Sequence, residues 1–82
     1  MYYVYFLKSE KNGDLYVGST ENLENRIFFH NSGKVKSTKA YRPWKLVGFE
    51  EYQSRSEATR KEKFFKTGQQ KEILKRKYGL TR

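Results

Sequence analysis

Five side chains in this sequence carry chemistry that the packing of a small domain does not require. They are two phenols, a guanidinium, an imidazole and a carboxylate, at Tyr5, Tyr16, Arg26, His30 and Glu62. Arginine binds phosphate through two parallel hydrogen bonds and opposes negative charge that grows in a transition state. A single carboxylate offers one hard oxygen ligand to Mg²⁺, which keeps most of its water and shares the site with substrate phosphate. Together these groups indicate cleavage of a phosphodiester bond.

A tyrosine in such a set would accept the proton of the attacking water. This step is demanding, because a free phenol has a pKa of about 10 and only roughly one in a thousand is ionised at neutral pH. A cation within a few ångströms, supplied by Arg26 or by a metal ion, would favour the phenolate. Both Tyr5 and Tyr16 are candidates for this base.

Each of these residues also has an ordinary structural interpretation. Tyrosine is common in sheets, and an arginine can run its aliphatic stem along a core while its head stays in water. The single histidine of the chain suits a hydrogen-bonded helix position, and one histidine cannot form a multi-histidine metal site. A half-buried Glu62 would pair with Arg26 or with a neighbouring lysine. The functional interpretation therefore depends on the elements that bring the five side chains together.

The two tyrosines fall in two strands joined by a turn. Residues 2–8 form a continuous β-branched and aromatic run, typical of a central strand covered on both faces. The Asn-Gly pair at 12–13 predicts a type I′ hairpin turn, in which both residues adopt positive φ. Residues 15–18 are then the antiparallel partner. Alternation places Tyr5 on one face of the first strand and Tyr16 on one face of the second, and the register is left open.

The arginine and the histidine belong to a predicted helix. Hydroxyls at 19–20 can cap its N-terminus, so the pattern predicts a helix over about 21–32. Arg26 and His30 stand one turn apart and border or lie within the apolar stripe of this helix. Residues 31–43 have no periodicity and no acidic residue, and they predict a mobile basic loop.

The glutamate lies in the second half of the chain. Residues 44–52 alternate imperfectly and predict a third strand, with Gly48 at a bulge or a tight contact. The Ser-x-x-Glu box at 54–57 opens a second helix that Gly68 can close as its C′ residue. Helical spacing places Glu62 in the apolar stripe of this helix, where a carboxylate needs an explanation.

A short basic helix over 69–78, ended by Gly79, completes the predicted elements, and Ile73 and Leu74 would dock it on the core. The predicted order is β-β-α-β-α-α. Because 82 residues leave room for one modest core, the sequence predicts a single domain over 1–82. Its fold class is α/β in the broad sense (α+β), a small three-stranded antiparallel sheet flanked by helices.

The charge of the chain indicates a polyanion as its partner. Eighteen Lys+Arg against nine Asp+Glu give a formal net charge of +9, which is typical of proteins that bind nucleic acid. The aromatic residues could stack on bases, although packing is their commoner use. Contact with the nucleic-acid backbone is expected from the basic loop and the cationic region 60–82, at Lys34, Lys36, Lys39, Arg42, Lys63 and Lys66.

The absence of cysteine excludes disulfides, thiolate metal sites and a cysteine nucleophile, as expected in a reducing compartment. The N-terminus lacks the pattern of a signal peptide, and no apolar run approaches the roughly 20 residues that a bilayer span requires. The sequence therefore predicts a cytoplasmic protein with no membrane partner.

The order and spacing of the five residues resemble the signature of the GIY-YIG endonuclease family. The signature stands here in variant form as Tyr-Val-Tyr at 3–5 and Tyr-Val-Gly at 16–18, followed by Arg26 and His30. Similarity to the small single-domain YhbQ-like branch of that family extends through Tyr-Val-Gly-Ser-Thr, Asn-Leu-Glu-Asn-Arg, His-Asn-Ser-Gly, Pro-Trp-Lys-Leu-Val and the segment around Glu62. The resemblance covers essentially the whole chain.

The resemblance implies a role for each residue. Tyr5 and Tyr16 would be the two signature tyrosines, one acting as general base or water-orienting group and the other positioning the phosphate. Arg26 would bind the phosphate, and His30 would assist proton transfer or contact the leaving group. Glu62 would be the single carboxylate ligand of Mg²⁺ or Mn²⁺. The family fold, a small antiparallel sheet flanked by helices, agrees with the elements predicted above.

The sequence departs from the family pattern at three points. Tyr3 replaces the first glycine of the family name, and a late asparagine found in some members is missing. Ser19 stands where some relatives carry a lysine that could lower a tyrosine pKa. Activation of the base would therefore rely on Arg26 or on the metal ion.

These observations predict a metal-dependent endonuclease that hydrolyses DNA, in preference to RNA, without sequence specificity. Branches or flaps in repair or recombination are the expected substrates, and the protein would act as a monomer or weak dimer. The main alternative is a non-catalytic nucleic-acid-binding module that retains the nuclease fold. A further alternative is an interaction domain whose activity needs a protein partner.

Overall fold

The computed structural model describes residues 1–79. The order β-β-α-β-α-α is confirmed, with one short 3-10 helix added before the third strand. The bounds are β1 Tyr2–Ser9, β2 Leu15–Thr20, α1 Leu23–Asn31, the 3-10 helix Lys39–Tyr41, β3 Trp44–Tyr52, α2 Arg55–Phe65 and α3 Gly68–Lys77. Residues 80–82, the end of the cationic region predicted to contact nucleic acid, lie outside the described part of the chain.

The three strands form one antiparallel sheet in the order β2-β1-β3, so the prediction that the first strand is central is confirmed. The register pairs Tyr5 with Gly18 and Leu7 with Tyr16. Residues directly opposite each other in an antiparallel pair point to the same face. Tyr5 and Tyr16 therefore share one face of the sheet, which the sequence had left open.

Each face of the sheet carries its own core. On one face α1 packs over a cluster of Tyr5, Leu7 and Trp44, with Leu23 and Ile27 of the helix against it. On the other face α2 and α3 pack over a second cluster built from Val4, Phe6, Leu15, Val17, Ala58 and Leu74. Leu74 docks α3 as expected, whereas Ile73 is 47% exposed, so its predicted contribution to the core is wrong.

The turn between β1 and β2 differs from the predicted type I′ geometry. Gly13 has φ of 79°, but no residue other than glycine has positive φ among residues 1–79, so Asn12 is not left-handed. The buried Ser9 hydroxyl replaces that geometry by accepting hydrogen bonds from the backbone N–H groups of Lys11 and Asn12. A buried side chain, which turn statistics do not include, decides the conformation here.

The helix ends agree with the predicted caps at one position and differ from them at two. Ser54 caps α2 by accepting from the backbone N–H of Glu57, as predicted. Asn22, not the hydroxyls at 19–20, caps α1 by accepting from the backbone N–H of Asn25. Gly68 was predicted to close α2, but it is the first residue of α3, whose N-cap is Thr67.

The segment 31–43 is irregular and basic, as expected. It was predicted to be mobile, but contacts at two of its residues anchor it to the rest of the fold. Asn31 bonds both polar backbone groups of Trp44, accepting from N–H at 2.6 Å and donating to C=O at 3.0 Å. Thr38 is 1% exposed. The predicted irregularity at Gly48 is also confirmed, because the register of β3 shifts beside it and the Tyr78 ring covers its Cα.

Among the described residues, no helix is long and apolar enough to cross a membrane.

Candidate active site

The site is built at the β2 edge of the sheet, where Tyr5 and Tyr16 lie on one face and Glu62 of α2 reaches the strand from the other. Tyr5 lies across its strand partner Gly18: a Cβ on that glycine would stand 2.6 Å from Tyr5 Cζ and 3.1 Å from Tyr16 Cε2. Only glycine therefore allows the phenol to cross β2 at this point. The rings of Tyr5 and Tyr16 lie side by side, with centroids 6.3 Å apart.

The His30 imidazole is hydrogen-bonded to the Tyr5 hydroxyl. Its side chain is completely buried, with Nε2 2.9 Å from Tyr5 Oη and Nδ1 2.8 Å from Thr38 Oγ1. Burial, followed by the positive charge of Arg26, lowers the pKa of His30 to about 4. The imidazole is therefore neutral at physiological pH and can accept a proton from the phenol.

Burial also governs Tyr5, whose side chain is 1% exposed. Burial raises the pKa of this phenol to about 12, and the neighbouring Tyr16 and Glu62 act in the same direction. The Arg26 guanidinium lies close enough to hydrogen-bond the phenol and oppose the shift, but it does not overcome burial. A free Tyr5 phenolate is therefore much rarer at neutral pH than the sequence alone suggests.

Glu62 reaches the same place from the opposite face of the sheet. One carboxylate oxygen accepts a hydrogen bond from Ser19 Oγ at 2.5 Å, and the other pairs with Lys66 Nζ at 2.6 Å. Burial by itself would raise the pKa of Glu62, but the hydrogen bonds from Lys66 and Ser19, with the charges of Lys66 and Arg26, lower it overall. The carboxylate is ionised and fixed at the rim of β2.

Two cationic side chains, Lys66 and Arg26, lie near both Glu62 and the tyrosines. Lys66 Nζ stands 5.9 Å from the centroid of the Tyr16 ring while it pairs with Glu62. Arg26 is half-buried, and its charge acts on the pKa values of Tyr5, His30 and Glu62 together. The structure thus brings all five predicted residues into one neighbourhood, with Tyr5 and His30 buried and the other three half-buried beside them.

Among residues 1–79, Glu62 is the candidate ligand for a divalent cation at this site. No group of three or more acidic, histidine or cysteine side chains converges anywhere in residues 1–79. Glu62 is ionised and its side chain is 22% exposed, so it can offer oxygen to a hard ion once Lys66 moves aside. Magnesium accepts such a site, because it binds one or two carboxylates and fills its other positions with water and phosphate oxygens.

The predicted nucleic-acid contacts are divided among four places. Lys36, Lys39 and Arg42 line a concavity of about 430 Å³ together with Lys11 from the hairpin turn. Lys34 stacks on Phe29, with Nζ 5.3 Å from the ring centroid. The remaining two are on α2 and just after it: Lys63 lies on the exposed face of the helix, and Lys66 pairs with Glu62.

We call the concavity lined by Lys11, Lys36, Lys39 and Arg42 the basic bowl. Lys11 is held at the edge of the basic bowl by a hydrogen bond from its Nζ to the Ala40 carbonyl, at 3.2 Å. The Arg42 guanidinium lies against Gly33, where a Cβ would stand 3.2 Å from Arg42 Cζ. Four cations line this concavity and no acid does, so a phosphate backbone is the ligand class that it suits.

Sequence reasoning missed two polar partners of the site, Ser19 and Thr38, and one cation of the basic bowl, Lys11. Ser19 was assigned to a helix cap, although its hydroxyl bonds Glu62, 43 residues away. Thr38 lay in a segment without periodicity, and Lys11 in a turn. Only Gly18 had a usable signal, since a glycine inside a strand often marks the close approach of another group.

Comparison with known proteins agrees with this geometry. The family model for the GIY-YIG catalytic domain matches residues 1–78. The chain belongs to the GIY-YIG family. That family is one of nuclease domains that generally use divalent metal ions, which supports a nuclease-like function for this chain.

Relatives of this GIY-YIG chain are small proteins of the UPF0213 group. The UPF0213 protein SH2523 of Staphylococcus haemolyticus is 47% identical over 75 residues, covering 90% of both chains. The UPF0213 protein CPE1444 of Clostridium perfringens is 46% identical over 67 residues, which cover 80% of this chain and 71% of that protein. The solution structure of UPF0213 protein BH0048 from Bacillus halodurans matches with a TM-score of 0.55 and 37% identity, over 90% of this chain and 82% of that one.

The buried histidine predicts a loss of stability in mild acid. The pKa of His30 falls from 6.5 to about 4 on folding, so the unfolded chain binds its proton first as the pH drops. The stabilisation is complete above about pH 6.5 and is lost progressively towards pH 4, by about 3 kcal/mol in the free energy of unfolding. Urea denaturation at a series of pH values measures this slope. A His30→Gln variant should lose the slope over that window, and an unchanged slope would contradict the assignment.

Proposed function

We propose that this chain is a Mg²⁺- or Mn²⁺-dependent endonuclease that hydrolyses DNA phosphodiester bonds, at branched or flap structures in repair or recombination. The observation that carries the proposal is the meeting of Tyr5, Tyr16, Arg26 and Glu62 at the β2 edge, from both faces of the sheet. Packing does not require it. The cytoplasmic location expected from the lack of cysteine is a prediction that goes with this proposal.

Glu62 would hold the metal ion, with Ser19 fixing the orientation of the carboxylate. When bound, the ion supplies a positive charge that opposes the charge growing on the scissile phosphate. Lys66 would give up its pairing with Glu62 and become free to contact the DNA backbone. This agrees with its predicted place among the nucleic-acid-binding residues.

Arg26 would bind the scissile phosphate. Its guanidinium is half-buried beside the Tyr5 phenol, and a planar fork with two donors matches the oxygens of a phosphodiester. Part of its charge would then be offset by the phosphate. Because that charge contributes to the low pKa of His30, substrate binding would make the imidazole a better proton acceptor.

Tyr5 and His30 would move the proton together. As the water oxygen bonds to phosphorus, the water proton passes to Tyr5 Oη and the Tyr5 proton passes to His30 Nε2, 2.9 Å away. The bond from phosphorus to the leaving oxygen breaks, that oxygen takes a proton from solvent, and His30 later returns its proton. No free phenolate is formed, which removes the obstacle set by a pKa of about 12. Tyr16 would position the phosphate beside Tyr5.

The second candidate function is a non-catalytic module that binds nucleic acid. One observation favours it: both oxygens of Glu62 are already engaged, by Ser19 and by Lys66. Such a module would use the same basic surfaces and cleave nothing. A third form of the proposal, in which a protein partner is needed for activity, keeps the site but makes its activity conditional.

The deciding experiment incubates the purified protein with end-labelled branched, flap and linear duplex DNA, with Mg²⁺ or Mn²⁺ and, in parallel, with EDTA. Metal-dependent nicking that disappears in both Glu62→Gln and Tyr5→Phe supports the nuclease. Nicking that survives both substitutions identifies a contaminant. Binding without nicking supports the module, and nicking that starts only after a cell extract is added supports the partner-dependent form. An RNA copy of each substrate tests the preference for DNA.

The basic bowl predicts a salt-dependent grip on the DNA backbone. Each phosphate contact that is lost should reduce the slope of log affinity against log salt by about 0.9 on duplex DNA. Changing Lys11, Lys36, Lys39 and Arg42 to glutamine should therefore lower the slope by about 3 to 4. Fluorescence anisotropy over a salt series measures it.

A matched variant removes the same four charges from α3, at Lys71, Lys75, Arg76 and Lys77. The variant that loses more of the slope identifies the surface that grips DNA. A larger loss in the α3 variant would contradict the assignment to the bowl and favour the cationic C-terminal region instead.

A further inference from the structure

Thr38 is a buried polar residue in the segment 31–43, most of which is exposed to solvent. Its side chain is 1% exposed, whereas Lys36, Lys39 and Arg42 beside it are open to water. Trp44 holds it in place by donating from Nε1 to the Thr38 carbonyl at 2.9 Å. The hydroxyl points inward and meets His30 Nδ1 at 2.8 Å.

The direction of this hydrogen bond follows from counting protons. Thr38 Oγ1 also lies 3.4 Å from the Val35 carbonyl, which can only accept. If the threonine proton goes to that carbonyl, Oγ1 accepts from His30 Nδ1–H. His30 Nε2 is then bare and accepts the proton of Tyr5 at 2.9 Å. Every proton in the chain from Tyr5 to Val35 has an acceptor.

The opposite arrangement leaves one proton without a partner. If Thr38 donated to Nδ1, the neutral His30 would carry its proton on Nε2 and donate it to Tyr5 Oη. The Tyr5 hydroxyl would then need another acceptor, but among residues 1–79 it has no hydrogen-bond partner other than His30 Nε2, and the nearby Arg26 guanidinium only donates. A buried hydroxyl without an acceptor costs about 1–3 kcal/mol, which favours the first arrangement.

We propose that Thr38 is a positioning residue that fixes His30 as the Nδ1–H tautomer and so keeps Nε2 available for the Tyr5 proton. This inference rests on the proposed function for its role in cleavage, but the tautomer itself does not. It also links two parts of the molecule, because the loop that carries the bowl cations Lys36, Lys39 and Arg42 supplies the group that orients the histidine. The loop that carries Thr38 and the Tyr5–His30 pair would then act as one structural unit.

The test uses Thr38→Val, which keeps the shape and removes the hydroxyl, and Thr38→Ser, which keeps the hydroxyl. Because the chain has a single histidine, protein labelled with ¹⁵N-histidine reports the His30 tautomer without any assignment step. We expect Nδ1 protonated and Nε2 bare in the parent protein and in Thr38→Ser. In Thr38→Val the preference should weaken or reverse. Ser37→Ala, one residue away and exposed, is the matched control and should leave the spectrum unchanged.

Cleavage provides the second readout. Thr38→Val should lower kcat/KM roughly 10- to 100-fold, by analogy with the loss seen when the partner that orients a metal-ligating histidine is removed, and Thr38→Ser should restore most of it. A parent protein protonated on Nε2 overturns the proposal, as does a folded Thr38→Val protein that keeps the Nδ1–H tautomer. If Thr38→Val does not fold, the parent and Thr38→Ser spectra still decide the tautomer. The expected tautomer in a protein that cuts nothing supports the proposal and refutes the nuclease.

Discussion

Replacement of Glu62 by glutamine is expected to abolish cleavage while leaving DNA binding intact. The substitution keeps the size and the hydrogen-bond acceptor for Ser19 but removes the charge that would hold a divalent ion. Loss of charge stabilisation at a phosphoryl centre costs roughly 10²- to 10³-fold in rate, and loss of the metal ion on top of this should leave activity undetectable. Initial rates at saturating Mg²⁺, with affinity measured in EDTA, separate the two effects.

The matched control for this prediction is Glu57→Gln, on the same helix and with the same loss of charge. Glu57 lies in the first turn of α2, one turn and more from the site. A rate loss of similar size in both variants would point to a general electrostatic effect and would contradict the assignment of Glu62. Retained activity in Glu62→Gln would remove the metal ligand from the proposal altogether.

Most of the fold followed from local patterns, because local forces decide those elements. The aromatic and β-branched run of β1 has one compatible role, a strand buried on both faces, and the structure places it at the centre of the sheet. Ser54 capped α2 as its sequence box predicts. In both cases the residues that determine the element lie within a few positions of each other.

The errors arose where a residue had two available partners. Ser19 could cap a helix or bond Glu62, and the second partner, distant along the chain, took it while Asn22 supplied the cap. Gly68 could close one helix or begin the next. Lys66 fills the C-cap of α2 and Thr67 caps α3, so no left-handed residue is needed between them. Local propensity ranks such options only when tertiary contacts do not intervene.

The five candidate residues were named from the sequence, but their arrangement was not. The register that pairs Tyr5 with Gly18 places both phenols on one face, and alternation alone allowed other pairings. The complete burial of the His30 side chain could not be predicted from the sequence either, because helical spacing gives the direction of a side chain and not its degree of burial. That burial changes the chemistry, since it lowers the pKa of His30 and leaves the imidazole neutral at physiological pH.

Replacement of Tyr5 by phenylalanine is expected to lower kcat/KM by about 10²- to 10⁴-fold, the usual contribution of a positioned proton-transfer group. The ring keeps its place over Gly18, so the binding of DNA should not change. Removing the hydroxyl leaves His30 Nε2 without a partner, and the free energy of unfolding should fall by about 1–3 kcal/mol. Tyr3→Phe, on the same strand and face, is the control and should retain full activity.

The pH dependence of cleavage by the parent protein distinguishes two ways in which Tyr5 could act. If a free phenolate with a pKa of about 12 were the base, the rate would rise about tenfold per pH unit from pH 6 to 9, because the reactive fraction grows by that factor. If Tyr5 passes its proton to a neutral His30, whose pKa is about 4, both groups are already in their reactive forms over this range. The profile should then be flat. A slope near one would refute the relay and make the ionised phenol the base, with Arg26 as the cation that has to stabilise it.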